Sequence, residues 1–338
     1  MGSVQGARRT PSSAGVFIDR LESLYGLHSE LESLRRVVEP FDPVPLETSV
    51  SLRAHVEREL RLTLGLRPAP ECPDTRAGLV AALSALGAEG MSAAVDEALA
   101  SIAPAPERRG LERTLALRAR QGEPVRPRPG GWIGGATVAE RSARVANTMV
   151  RLGLDHAAAV YERLAAELAA NPFNAVIPYG LGLDLGPDRV HGAKTYFACE
   201  WADVAAGFLD GLADELRLDG AEAFALLVAS IRAESRRARW VMEVSFELPA
   251  DPALGVRAKA YLQPWGLGSN EVEAHTAVLR LADQLALDPL PYEELVEAVR
   301  PGGLTPERTC SVTIGLSASA RGPSLEVYLL GPARLRTC

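Results

Sequence analysis

Two tripeptides place a cation and a phenol two residues apart: Lys194-Thr195-Tyr196 and Lys259-Ala260-Tyr261. A third copy, Leu325-Glu326-Val327-Tyr328, keeps the tyrosine and carries an acid where the others carry lysine. Residues two apart on a strand share a face, so the polar residue and the tyrosine look one way while Ala, Val, Leu or Phe look the other. A face of that kind can hold an anion on its ammonium groups and set aromatic rings beside it. Tyr196, Tyr261 and Tyr328 recur about every 65 residues, and a fixed period of this length marks a repeat architecture.

The elements that must position these residues are hairpins, expected near residues 49–67, 114–137, 179–197, 240–263 and 310–330. Helices are expected near Gly15–Val38, Thr75–Leu86, Met91–Ile102, Ala139–Leu152, His156–Ala170, Trp201–Leu216, Gly220–Arg237, Glu271–Ala286 and Tyr292–Val299. Residues 1–14 read as a flexible start and 15–338 as one domain. The second hairpin is the weakest copy: its second strand is expected around Trp132–Thr137, where glycines replace the Lys-x-Tyr pattern. Arg126-Pro127-Arg128 reads as a solvated linker before it. The segment Gly130-Gly131-Trp132-Ile133-Gly134-Gly135 lacks the Gly-Lys-Ser/Thr ending of a phosphate loop and reads as a turn and a close-packed strand, with Trp132 a candidate stacking wall for an aromatic ligand.

Five hairpins give ten strands, polar on one face and apolar on the other. Such strands form either an open sheet with a solvated face or a closed barrel. Amphipathic helices need an apolar surface to cover, and the Leu/Val/Ala face supplies it only when the helices lie outside and the polar face turns inward. The expected fold is therefore α+β: a ten-stranded antiparallel barrel with a wet, polar lumen, wrapped in helices.

Bulk properties narrow the partners. The net charge of −7 offers no nucleic-acid footprint. The start of the chain lacks a signal-peptide core, and no apolar run approaches the about 18 residues of a membrane span, so a soluble protein of the cytoplasm, monomeric or weakly dimeric, is expected. Cys72, Cys199, Cys310 and Cys338 are far apart and form no Cys-x-x-Cys pair, which disfavours zinc and a disulfide scaffold. His55 stands without a partner and reads as structural.

The repeated order helix, two strands, helix, with Lys-x-Tyr on the inner strands, resembles the ABBA or PT-barrel aromatic prenyltransferases over Glu47 to Leu330. Arg257-Ala258-Lys259-Ala260-Tyr261 is similar to the Arg-x-Lys-x-Tyr strand of the indole, or dimethylallyltryptophan synthase, branch. Pro45-Leu46-Glu47-Thr48-Ser49 is similar to that branch's Pro-x-Glu-x-Ser at the entry to the first hairpin. Glu326 departs from the pattern, since a basic or amide residue is usual there.

The resemblance implies transfer of a dimethylallyl or longer isoprenoid group from its diphosphate to an electron-rich aromatic acceptor. Fixed donors stabilise the leaving diphosphate, and Arg61, Lys194, Arg257 and Lys259 are the residues implied for this. Tyr196, Tyr261 and Tyr328 would shield the allyl cation. Glu47 would accept the indole N–H, with Glu243 and Glu247 as inward-facing reserves. No Asp-Asp-x-x-Asp run is present, so no metal and no cofactor are expected. A peptide acceptor, or a degenerate barrel that binds an anionic or aromatic ligand without turnover, stand as alternatives.

Overall fold

A computed structural model describes residues 28–38, 46–53, 59–66, 75–103, 113–120, 122–170, 176–186, 188–200, 241–262, 270–300, 302–307, 312–319 and 322–330. Ten strands run through them: β1 (Leu46–Arg53), β2 (Glu59–Leu66), β3 (Arg113–Arg120), β4 (Arg126–Trp132), β5 (Ile177–Leu185), β6 (Val190–Glu200), β7 (Val241–Pro249), β8 (Arg257–Leu262), β9 (Val312–Ser319) and β10 (Gly322–Leu330). Each strand pairs antiparallel with its neighbours in sequence, and β1 closes the sheet on β10. Closure leaves no exposed edge.

The described helices are α1 (His28–Val38), α2 (Thr75–Ala85), α3 (Glu89–Ile102), α4 (Val138–Arg151), α5 (Asp155–Ala170), α6 (Glu271–Gln284) and α7 (Leu290–Val299). The helices expected over Trp201–Arg237, and the start of the one expected from Gly15, lie outside the described residues, as do His55, Cys72, Cys310 and Cys338. Among the described residues, no helix is long and apolar enough to cross a membrane.

Strand alternation decides where the core sits. On β5 it is Leu181, Leu183 and Leu185 that point outward and are buried, and on β7 it is Val244, Phe246 and Leu248. They meet Leu99, Met149, Leu164, Leu281 and Leu295 of the helices in one continuous apolar layer between barrel and helices. Tyr161 of α5 stacks on Phe197 of β6 at 5.9 Å, and Phe197 meets Phe246 edge-on at 5.9 Å. Burial of each such side chain stabilises the fold by about 1.5–3 kcal/mol, and Phe246→Ala, which also opens a cavity, is expected to cost about 3–5 kcal/mol.

Helix starts follow local chemistry. Thr137 caps α4, its hydroxyl accepting from the Glu140 N–H at 3.1 Å, and the Glu140 carboxylate reaches back to the Ala136 N–H at 2.7 Å. Asn270 caps α6 in the same manner at 2.9 Å. Arg300, at the end of α7, is tied to Glu271 at the start of α6 by a fully buried ion pair of 2.9 Å.

One sequence expectation is corrected here. The second strand of the second hairpin is Arg126–Trp132, not a strand around Trp132–Thr137. Pro127 and Pro129 argued against a strand because they cannot donate to a ladder. The β4–β5 ladder, however, holds only Gly130, Gly131 and Trp132, so both prolines stand where β4 forms no ladder pair with β5.

Candidate active site

The inner faces of β4 to β8 build a charged layer at one level of the lumen. Register sets Lys194 of β6 beside Glu247 of β7, and Glu247 beside Arg257 of β8. Glu247 is the hub: Oε1 lies 3.2 Å from Arg128 Nη1 and 3.7 Å from Lys194 Nζ, and Oε2 lies 2.7 Å from Arg257 Nη2. Arg128 also donates through Nε to Asp184 Oδ1 at 2.5 Å. The guanidinium reaches from β4 across β5 because β5 carries Gly182 there; a Cβ at Gly182 would already lie 3.5 Å from the arginine stem.

Arg128 is thus part of the lumen and not a solvated linker residue, which corrects the sequence reading. Arg257 stands at the rim instead, its side chain 60% exposed. Lys194 is 2% exposed. Lys259, nearly as buried, pairs with the buried carboxylate of Glu326, and Tyr328 bonds to both, its hydroxyl accepting from Lys259 Nζ at 3.0 Å and donating to Glu326.

Beside the charges runs a ladder of rings. Centroids are 5.2 Å apart for Trp132 and Tyr179, 6.0 Å for Tyr179 and Tyr196, 6.2 Å for Tyr196 and Tyr261, and 5.9 Å for Tyr261 and Tyr328. The two lysines lie over these rings. Lys194 Nζ is 5.4 Å from the Tyr196 centroid and 5.6 Å from that of Tyr261, while Lys259 Nζ is 5.6 Å from Tyr261 and 5.5 Å from Tyr328. Small residues make room: Gly315 of β9 sits among Lys259, Tyr261 and Tyr328, where a Cβ would meet their atoms at 3.0–3.2 Å. Ser245 of β7 lies between Tyr196 and Tyr261 and donates to the Tyr261 hydroxyl at 3.3 Å.

The electrostatics follow from crowding cations in a buried space. Burial, then the nearby Lys259 and Arg128, push the Lys194 ammonium well below its ordinary value, and Glu247 only partly offsets them. Burial alone would raise Glu247, but Arg128, Lys194 and Arg257 overcome it and hold the carboxylate well below the usual range. Burial pushes the phenols of Tyr196 and Tyr261 up, so both rings stay neutral. The charged layer is suited to a polyanion, and the neutral ring faces beside it to an electron-poor carbon.

Sequence reasoning missed Arg128, Asp184 and Tyr179. Of the residues it singled out, the structure brings together Lys194, Lys259, Tyr196, Tyr261 and Tyr328, with Arg257 at the rim. Trp132, 39% exposed, ends the ring ladder. Glu47 lies within β1, where register sets it opposite Thr63 and Leu330, and Arg61 lies on β2 opposite Ser49 and Arg118. The side chains of both lie outside the described part of the structure.

Solved structures share this architecture from end to end. 5-Dimethylallyltryptophan synthase from Streptomyces coelicolor superposes with a TM-score of 0.71 at 17% identity, covering 97% of this chain and 100% of its own. The fold is the ABBA, or PT-barrel, fold. The 6-dimethylallyltryptophan synthase from Micromonospora olivasterospora, solved in complex with DMASPP and Trp, has the same barrel at a TM-score of 0.67 and 17% identity over 95% of this chain and 98% of its own. AnaPT from Neosartorya fischeri matches at 0.65 and 15% identity over 93% and 91%. No family model and no curated protein sequence matches the chain. At such identities the PT-barrel is established by shape, and function rests on the residues in its lumen.

Proposed function

We propose that this protein is an aromatic prenyltransferase, moving a dimethylallyl or longer isoprenoid group from its diphosphate to an indole or a similar electron-rich ring. The observation that carries the reading is the contact between charge and ring: Lys194 and Lys259 each lie within 5.6 Å of two tyrosine faces. An anion held on those ammonium groups leaves the carbon it departs from against the rings. The complex of the Micromonospora enzyme with DMASPP and Trp supports the same pairing of substrates.

In this reading Arg128, Lys194 and Lys259 hold the diphosphate, with Arg257 at the rim and Arg61 on β2 as further donors. The C1–O bond of the donor breaks with its electron pair leaving on the diphosphate, and fixed cations in a desolvated site stabilise that developing charge. Tyr196, Tyr261 and Tyr328 cover the allyl cation and exclude water, each ring face contributing about 0.5–2 kcal/mol. The acceptor ring supplies the electron pair of the new bond and then loses a proton, a role the resemblance gives to Glu47. The proposed chemistry uses no metal: Arg128, Lys194, Arg257 and Lys259 are the donors to the leaving group, and the nearby carboxylates Asp184 and Glu247 are engaged with Arg128.

The test is a mass-spectrometric screen of the purified protein in EDTA, with dimethylallyl and geranyl diphosphates against tryptophan, small indoles, tyrosine, phenols, cyclic dipeptides and short peptides. Gain of one isoprenoid unit on any acceptor establishes metal-free transfer and names the acceptor class. One observation favours a second reading: Glu326 already occupies Lys259 as an internal anion. A barrel that binds the donor without turning it over, shown by calorimetric binding with neither transfer nor hydrolysis, would establish that alternative.

A further inference from the structure

Tyr179 enters the lumen through an irregularity in β5. Gly180 pairs with Tyr196 and Gly182 with Lys194, so even-numbered residues of β5 look inward there. Continued regularly, that alternation would send Tyr179 outward toward the helices. Between Pro178 and Gly180 the register shifts, and Pro178 pairs with the outward-facing Phe197. A bulge of this kind re-aims a side chain, and bulges gather next to active sites. Here it puts the Tyr179 ring between Trp132 and Tyr196, while its carbonyl holds the Ile133 N–H at 2.9 Å.

Burial, and then the charge of the Glu243 carboxylate nearby, act on the Tyr179 phenol. Glu243 shares the inward face of β7 with Ser245 and Glu247, and its register neighbours are Tyr261 on β8 and Ala198 on β6. Four residues of strand separate it from Glu247, about 13 Å along the barrel. The lumen therefore has the Glu247 charged layer at one level, Tyr196 and Lys259 at the next, and the Glu243 carboxylate beyond them, level with Tyr261. A ring attacking a cation that sits among the tyrosines must approach from the side away from the leaving group, with the reacting carbons about 3–3.5 Å apart. That side is the Trp132–Tyr179–Glu243 end.

We propose that Glu243, held in place by the bulged Tyr179, is the carboxylate that receives the acceptor's proton. The inference rests on the prenyl-transfer reading and deepens it. The donor loses diphosphate with the C1–O electron pair, the acceptor's ring carbon gives its π pair to C1, and the proton on that carbon passes to a Glu243 oxygen, restoring aromaticity. Where attack comes from a ring nitrogen, the N–H proton takes the same path. Glu243 is the catalytic residue and Tyr179 a positioning residue. Burial and the adjacent carboxylate push the Tyr179 phenol well up, so it keeps its proton and can donate to Glu243.

The experiment compares Glu243→Gln, Tyr179→Phe and Glu47→Gln with wild type, reading acceptor transfer, donor hydrolysis and affinity for dimethylallyl thiolodiphosphate, a donor analogue that does not ionise readily. Glu243→Gln is expected to lower transfer at least about 50-fold while hydrolysis and analogue affinity stay within about twofold, and to flatten the acidic limb of the transfer pH profile. Tyr179→Phe, nearly isosteric, is expected to lower transfer about fivefold with hydrolysis unchanged, so that hydrolysis per transfer rises about fivefold. Transfer retained in Glu243→Gln, loss of analogue affinity together with transfer, or uncoupling seen in Glu47→Gln alone would each overturn the assignment. Wild-type protein that prenylates no acceptor overturns the proposed function itself, and this inference with it.

Discussion

On β6 the lumen receives Lys194 and, two residues later, Tyr196; on β4, one hairpin earlier, it receives Arg128 followed by Gly130. The cation survives the change and the tyrosine does not. No side chain fits at Gly130, where a Cβ would stand 2.9 Å from both the Leu181 carbonyl and Thr114 Oγ1. The ring missing from β4 is supplied by its neighbour, through the bulge that turns Tyr179 inward, and by Trp132 at the strand end. The lumen needs a cation level and a ring level; which strand carries each part is free to change.

If that equivalence holds, Arg128 and Lys194 should matter alike. Lys194→Ala and Arg128→Ala are each expected to lower donor turnover by about 100- to 1000-fold, the usual loss when one fixed donor to a developing charge is removed. Arg128→Ala within about threefold of wild type would break the comparison and leave the cation role to β6 and β8. Glu326→Gln sharpens it from the other side, because β10 is the copy in which an acid stands where the pattern has lysine. Its loss leaves the Lys259 charge buried without its carboxylate and is expected to destabilise the fold by about 3 kcal/mol. Inorganic diphosphate should bind the variant more tightly, since it no longer competes with an internal anion; weaker binding in calorimetry would show that Glu326 orients Lys259 for the ligand.

Glycine substitutions test the missing tyrosine directly. Gly130→Ala is expected to cost about 1–3 kcal/mol in denaturant unfolding, because backbone must shift to admit the methyl group. Gly182→Ala, whose nearest neighbour would be the flexible Arg128 stem at 3.5 Å, should change stability by no more than about 0.5 kcal/mol. Equal effects would mean that Gly130 is not the tight point. At the rim, Arg257→Ala should reduce donor affinity by no more than about fivefold, as expected of an exposed ion pair.

The strand-by-strand contrast also explains what was legible in the sequence. Lys194, Tyr196, Lys259, Tyr261 and Tyr328 obey strict alternation on uninterrupted strands, so their shared face could be read from spacing alone. Arg128 was hidden by Pro127 and Pro129, which look like strand breakers until they are seen to pair with β3 alone, at positions outside the β4–β5 ladder. Tyr179 has the wrong parity for the lumen, and only a register shift, which spacing does not reveal, corrects it. Asp184 and Glu326 do lie on the inward parity, but their ion pairs depend on side chains that reach across strands through Gly182 and Gly315.

The smallest expected effect concerns protons. In the folded barrel the Lys194 ammonium is held well below its ordinary value, by burial first and then by Lys259 and Arg128. Between the folded and the unfolded value the unfolded chain therefore binds more protons than the folded one, and this lysine makes stability rise with pH across that window. A bound diphosphate reverses the bias: its charge favours the protonated amine, so binding must draw in a fraction of a proton. Calorimetry of inorganic diphosphate in two buffers of different ionisation enthalpy, at a pH inside the window, should show net uptake that vanishes in Lys194→Met and fades as the pH is lowered. Net release would mean that the anion is held away from β6, and the likeness between Lys194 and Arg128 would fail at the level of charge even if both strands reach the same lumen.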